Sequence, residues 1–293
     1  MKKGLGYLVC FFFLIGFCVI STQTLKAQQN EIHILQDGNI NPITASIQRT
    51  GDLYTLTSNV YISIIVEKDN IIIDGNGYAV ANLNLVQRTN ITIKNVDSNI
   101  WLVNTSNSIV FGCQGNIRLD NCFNNNIFEN NFKSNPHGIL LINSNNNFIH
   151  KNNITGVIQG PIGVSLVSSQ NNSIYENNII DNSVGLGLSD NSVHNSIIRN
   201  NFINNTQQAE GWDSLPNSWD DGEVGNYWSD LVDGSYYTIQ IRFLKNNSVQ
   251  FDYDNYPQDQ PVVIPEFQTT IVSIIIIAII GIVLLVFLKK IRK

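Results

Sequence analysis

The chain has 293 residues, 43% of them hydrophobic, with 17 Lys/Arg against 23 Asp/Glu. The basic residues crowd the two ends, so that residues 28–288 hold 10 Lys/Arg and all 23 Asp/Glu, a net charge of −13. So acidic a body repels phosphate backbones, which argues against nucleic acid and anionic membrane surfaces as partners.

Residues 1–27 begin with Lys2 and Lys3, continue through an apolar run and end at the small residue Ala27. This is the layout of a secretory signal peptide. Cys18 follows the bulky Phe17, which is unsuited to a lipid-attachment site. Residues 28–60 are expected to form an N-terminal cap and lead-in strands.

Residues 61–206 repeat. The segments "NNIFENNF" (125–132), "NFIHKNNI" (147–154), "NSIYENNI" (172–179) and "NSIIRNNF" (195–202) place an Ile at 127, 149, 174 and 197. A Gly-apolar-x-apolar motif recurs at 138, 163 and 185, with fainter echoes at 70, 90 and 107. Self-similarity at 22–25 residues is the mark of a solenoid. The apolar residues alternate over short runs broken by Asn, Gly and Ser, which is strand-and-turn punctuation. A leucine-rich repeat would need a Leu-rich strand and a second apolar face. The expectation is a right-handed parallel β-helix of about seven coils over 60–205, each stacked about 4.8 Å from the next.

Stacking explains how segments so poor in apolar residues can build a core. Each coil supplies a few inward side chains, and its neighbours extend the column along the axis. The expected columns are Ile127, Ile149, Ile174, Ile197 and Phe132, Ile154, Ile179, Phe202. Asn tolerates the left-handed conformation of tight corners, and stacked amides can bond up a column as a ladder. Asn130, Asn152, Asn177, Asn200 and the residue after each are two such columns. Glu129, Lys151, Glu176 and Arg199 alternate in charge, as an exposed ion-pair ladder does.

Cys113 and Cys122 remain after signal removal, either as a disulfide in an oxidising exterior or as two small core residues. Six Asn-x-Ser/Thr sequons, at Asn90, Asn104, Asn153, Asn171, Asn204 and Asn246, are candidate glycosylation sites.

Residues 207–257 differ in kind and are expected to cap the open end. The stretch 210–266 holds 11 Asp/Glu with only Arg242 and Lys245 as cations, and it is rich in Trp and Tyr. Such rings cover an open solenoid end well. Exposed rings beside carboxylates also describe a sugar site, for which Trp212, Trp219, Asp220, Asp221, Glu223, Tyr227 and Trp228 are the candidates. Residues 258–268 form a linker carrying "PEF". Residues 269–288 are long and apolar enough to span a bilayer as a helix of about 30 Å. The basic tip 289–293 then lies in the cytoplasm and the bulk of the chain outside. A single-pass protein of the cell membrane with its body extracellular is expected.

The stretches "DNIIIDGNGYAV" (69–80), the Asn-x-Ile coils and "NSWDDGEVGNYWSD" (217–230) together resemble the NosD-like right-handed β-helix proteins, over roughly residues 35–260. The "PEF" linker, apolar span and basic tip resemble the sorting tail of archaeal surface proteins, which implies a sorting enzyme as a partner. The resemblance implies the fold and export. Its periplasmic copper-binding label implies a metal, but copper(I) favours Cys and Met, with His for either oxidation state. This chain has no Met past residue 1, and His33, His137, His150 and His194 share no column. After "GNYWSD" the chain goes directly to "LVDGSYYTI", which weakens a calcium-loop reading. No cofactor is predicted, and the metal ligands are left unknown.

Two function classes compete. A polysaccharide lyase, hydrolase or epimerase needs catalytic groups on one face, and glycoside hydrolysis needs two carboxylates about 5–10 Å apart. The solenoid acids are Asp74, Asp97, Asp120, Glu129, Glu176, Asp181 and Asp190. Glu129 and Glu176 share a column two coils apart with Lys151 between them, and Asp74 precedes a turn glycine. No acid pair, nucleophile constellation or ligand column stands out. A non-catalytic protein that binds glycans or surface-layer proteins is the favoured class, with the enzyme and a copper-related maturation factor as alternatives.

Overall fold

A computed structural model describes residues 31–133, 138–156, 162–232 and 234–264; the expected signal segment and the apolar span 269–288 lie outside them. All regular structure described is β-strand, arranged in three sheets of 12, 9 and 5 strands. No helix among the described residues is long and apolar enough to cross a membrane.

The chain winds from sheet to sheet. Gln114–Asp120 lies in the 12-stranded sheet, Asn126–Phe128 in the 9-stranded sheet and Asn131–Lys133 in the 5-stranded sheet, before Ile139–Ile142 returns to the first. Each strand pairs in parallel with its counterpart one turn on, which makes the solid a parallel β-helix. Among the described strands only end ones pair antiparallel: Ile40–Asn41 on Glu31–Ile34, Ile47–Thr50 on Leu53–Leu56, and Ser248–Asp254 on Tyr237–Phe243. These strands cover edges that would otherwise template pairing with another chain.

The expected Ile column is observed in register: Ile127 on Ile149, Ile149 on Ile174 and Ile174 on Ile197, all fully buried. It continues upstream through Val110, Ile93 and Ile73 to Tyr54. The second column stacks Phe132, Ile154, Ile179 and Phe202 and ends on Trp228. A third runs inside the 12-stranded sheet through Leu85, Leu102, Leu119, Leu141, Leu166 and Leu188. Burying one such side chain contributes about 1.5–3 kcal/mol. Seven strands of the long sheet fall within 60–205, as expected. The stack also runs past both expected limits, with Glu31–Ile34 on Ser63–Val66 and Gln207–Trp212 on Val184–Ser189.

Asn takes the left-handed corner as expected at Asn124, Asn146 and Asn171, with φ of 56°, 56° and 55°. At the neighbouring corner the position is held instead by Glu129, Lys151, Glu176 and Arg199, with φ of 54°, 55°, 54° and 57°. Asn130, Asn152, Asn177 and Asn200 point inward and are buried. Each donates its Nδ2 to the Oδ1 of the next, and Asn200 donates to Asn226, at 2.9–3.0 Å. A parallel ladder joins Asn125, Asn147, Asn172, Asn195 and Asn217 at 3.0–3.1 Å. Each amide also donates to a backbone carbonyl of the preceding coil, so buried polar groups that would cost free energy alone are satisfied. The residues that follow the first ladder make an outer column, with Asn153 donating to Asn131 and Asn201 to Asn178. Of the alternating charges, Lys151 pairs with Glu176 at 3.9 Å, while Arg199 pairs with Asp221 at 3.3 Å.

Candidate functional site

Both amide ladders run in one direction, so each ends in donors at the C-terminal end of the stack. The strand Ser248–Asp254 meets them with carboxylates, which only accept. Asp254 Oδ2 accepts the Asn226 backbone N–H at 2.7 Å, its Nδ2 at 3.3 Å and the Trp228 indole N–H at 2.8 Å. Asp252 Oδ2 accepts the Asn217 backbone N–H at 3.0 Å and the Trp219 indole N–H at 3.1 Å. Burial pushes both carboxyls above their ordinary range, and these donors pull them part of the way back. A side chain at Gly225 would collide with the Asp254 carboxylate, so glycine is what lets the acid approach.

The sugar candidates chosen from sequence therefore divide. Trp219 and Trp228 are only 1% and 2% exposed. Trp228 is stacked between Phe202, at 4.4 Å between ring centres, and Tyr237, at 4.0 Å. Neither indole offers a face to a ligand. Asp220 caps the turn at Gly222 and accepts from Asn255, while Asp221 accepts the backbone N–H groups of Glu223 and Val224. Those backbone donors hold the Asp221 carboxyl below its usual range. Glu223 is exposed, and Trp212 and Tyr227 are half-buried. The Asp220 and Asp221 carboxylates of the acidic run are taken up by its own backbone, by Asn255 and by Arg199.

The thiols are free and sit in two different places, so the disulfide alternative is not formed. Cys113 precedes Asn130 in the long ladder, its N–H donating to that Oδ1, and Cys122 donates its N–H to Ser144 at the head of a serine column. Burial pushes their pKa values up to about 12 and about 11. Five sequon asparagines, Asn90, Asn104, Asn171, Asn204 and Asn246, are exposed, whereas Asn153 is half-buried in the outer amide column. Asp74 caps the Asn76 turn and pairs with Lys94 at 2.9 Å.

A different surface gathers groups without partners. It lies on the outer face of the long sheet across Ala79–Val86, Asp97–Val103 and Gln114–Asp120. Strand alternation sends Asp97, Asn99, Trp101 and Val103 outward and Ser98, Ile100 and Leu102 inward. Register stacks Asn84, Trp101 and Arg118 in one outer column and Asn82, Asn99 and Asn116 in the next. Trp101 is 48% exposed. Arg118 Nε donates to Asp120 Oδ2 at 2.9 Å. Three acceptors, Asn84 Oδ1, Asn116 Oδ1 and Asp120 Oδ1, are shielded from solvent and have no hydrogen-bond partner among the described residues. At the other end of these strands, beside Asn116, is a pocket of about 220 Å³ lined by residues 79–81, Asp97, Ser98, Asn99 and Gly115. Gly115 has φ of 99°, and a side chain there would strike the Ser98 backbone, so the floor tolerates glycine only.

A half-exposed indole beside acceptors that lack donors is suited to a polyhydroxylated ligand. An indole face can stack on a sugar ring, and hydroxyls can donate to such acceptors where they are uncovered. Asp97 pairs with Gln114, six residues from Asp120, which sets the two acids about 20 Å apart along the strands. That is too far for an acid/base pair in glycoside hydrolysis. Of these residues only Asp97 and Asp120 were singled out from sequence. The signal for the rest was a 17-residue step, "NLNLV" (82–86), "NIWLV" (99–103), "NIRLD" (116–120), shorter than the 22–25-residue period that dominates downstream.

The described donors do not fit a copper site. His33 pairs with Glu67 at 2.7 Å, and His150 is stacked between Phe128 and Tyr175 with Nε2 against Asn126. Both thiols are buried and protonated, and no cluster of three His, Cys, Asp or Glu among the described residues could hold a metal.

No curated protein sequence matches the chain. Among solved structures it is similar to two variants of the periplasmic alginate epimerase AlgG. The first is 12% identical with a TM-score of 0.33, covering 72% of this chain and 65% of that one. The second is 11% identical with a TM-score of 0.36, covering 72% and 77%. The chain thus spans just under two thirds of the first epimerase's length. A family model described as "Periplasmic copper-binding protein (NosD)" matches residues 23–232, and by that match over most of its length the chain belongs to the NosD family.

Proposed function

We propose that this protein is an exported, membrane-anchored β-helix that binds glycan in the outer groove of its long sheet without catalysis. The observation that carries the reading is Trp101, half-exposed between Asn84 and Arg118, beside three acceptors that have no donor. In this reading residues 207–257 are the solenoid's lid, since their indoles face inward onto Asp252 and Asp254. Export agrees with the family's periplasmic description and with the basic start and apolar run of residues 1–27. The apolar span 269–288 and its basic tip serve as anchor or sorting tail, with membrane, sorting enzyme and surface-layer proteins as partners. Protease added to intact cells should remove the β-helix, and full protection would contradict this orientation.

The function is tested by titrating the full chain in detergent against a panel of oligosaccharides, with wild type and Trp101→Ala side by side. Loss of about 1–3 kcal/mol of affinity in the variant, the scale of one large side chain's burial, with unchanged melting supports the groove. Equal affinity in the two proteins places binding elsewhere, and turnover of any polysaccharide overturns the non-catalytic reading.

A further inference from the structure

We infer that the groove selects a glycan that brings positive charge and hydrogen-bond donors, an amino-sugar oligosaccharide, and rejects polyuronates. This rests on the glycan reading above and names its ligand class. The groove's polar atoms are unequal in kind. Its solvent-shielded side-chain atoms without a partner among the described residues, Asn84 Oδ1, Asn116 Oδ1 and Asp120 Oδ1, are all acceptors. A carboxylate is itself only an acceptor, so a uronate would meet these atoms with its hydroxyls alone and never with its charged group. A hydroxyl or ammonium group can donate to them.

Charge points the same way. The one cation of the groove, Arg118, is already held by Asp120. Asp97, at the pocket end, is exposed and adds a second negative charge. Elsewhere on the β-helix Lys68, Arg88, Lys94, Lys151 and Arg199 are each committed to an acid. Among the described residues there, a polyanion meets one cation, already neutralised by Asp120, and an acidic field around it. An ammonium-bearing ligand gains from Asp97 and from the indole face, where cations are attracted by the ring quadrupole. Asp97 and Trp101 lie on one strand four residues apart, about 13 Å, so one oligosaccharide can meet both.

The test is calorimetric titration of the full chain with three tetrasaccharides: a glucosamine oligomer, its N-acetylated counterpart and a uronate oligomer. The glucosamine form should bind about ten-fold tighter than the N-acetylated form, on the scale of a cation–π contact plus one charge pair. The gap should shrink as salt is raised. Trp101→Ala should weaken both forms, and Asp97→Asn should narrow the gap to under about two-fold. Uronate binding as tight as glucosamine would overturn the inference while leaving glycan binding intact. Equal affinity for the amino and acetylated forms would overturn the charge selection. Binding of none of the three would remove the glycan reading itself.

Discussion

The C-terminal end of the stack and the outer groove use the same residue types for opposite purposes. At the end, Trp219, Trp228, Asp252 and Asp254 face inward, and donors arriving along the ladders meet acceptors. In the groove, Trp101 faces outward and acceptors stand without donors. An aromatic, acidic composition therefore does not distinguish a closed end from an exposed face. The distinction is whether the hydrogen-bond capacity is closed within the protein.

The sharpest way to break the comparison is Asp254→Ala. The substitution removes the acceptor of the Asn226 and Trp228 donors and should cost about 3 kcal/mol or more, read by urea unfolding. A loss under about 1 kcal/mol would mean the ladder does not depend on its terminal acceptor. Trp228→Ala should cost about 3–5 kcal/mol from the emptied space between Phe202 and Tyr237. Trp101→Ala, by contrast, should leave the unfolding midpoint within about 0.5 kcal/mol of wild type, since an exposed ring supports little packing. Matching destabilisation at 101 and 228 would erase the contrast. Smaller still, Glu176→Ala removes an exposed pair with Lys151 and should cost under about 1 kcal/mol.

Titration sharpens the same contrast. Asp252 and Asp254 have folded pKa values above the unfolded value of 3.8. Their contribution is full below that value and is lost as pH rises through the raised folded values. His150 has the opposite sign of dependence. Its folded pKa lies below the unfolded 6.5, through burial first and then Lys151, so its contribution is present above 6.5 and is lost on acidification. His150→Phe keeps a ring between Phe128 and Tyr175 and should raise the melting temperature at pH 5 relative to wild type more than at pH 8. An equal shift at both pH values would show that protonation of His150 is not coupled to folding.

What the sequence determined by itself was whatever repeats. The Ile, Phe and Asn columns were legible because stacked coils put equal offsets in contact, so a one-dimensional period becomes a three-dimensional column. The turn at Asp74 was legible for a local reason, a side chain that caps its own corner. Tertiary structure alone decided which face each ring and carboxylate takes. Trp228 is buried because Tyr237 closes over it, and Asp254 is opposite Asn226 because an antiparallel strand folds back from 28 residues away. Nothing near Trp228 or Trp101 in the chain distinguishes the two, since burial depends on what arrives from distant segments. The groove was hidden for the same reason: Asn84, Trp101 and Arg118 become neighbours only when three rungs stack in register, and an acceptor is known to lack a donor only once every other chain segment is in place.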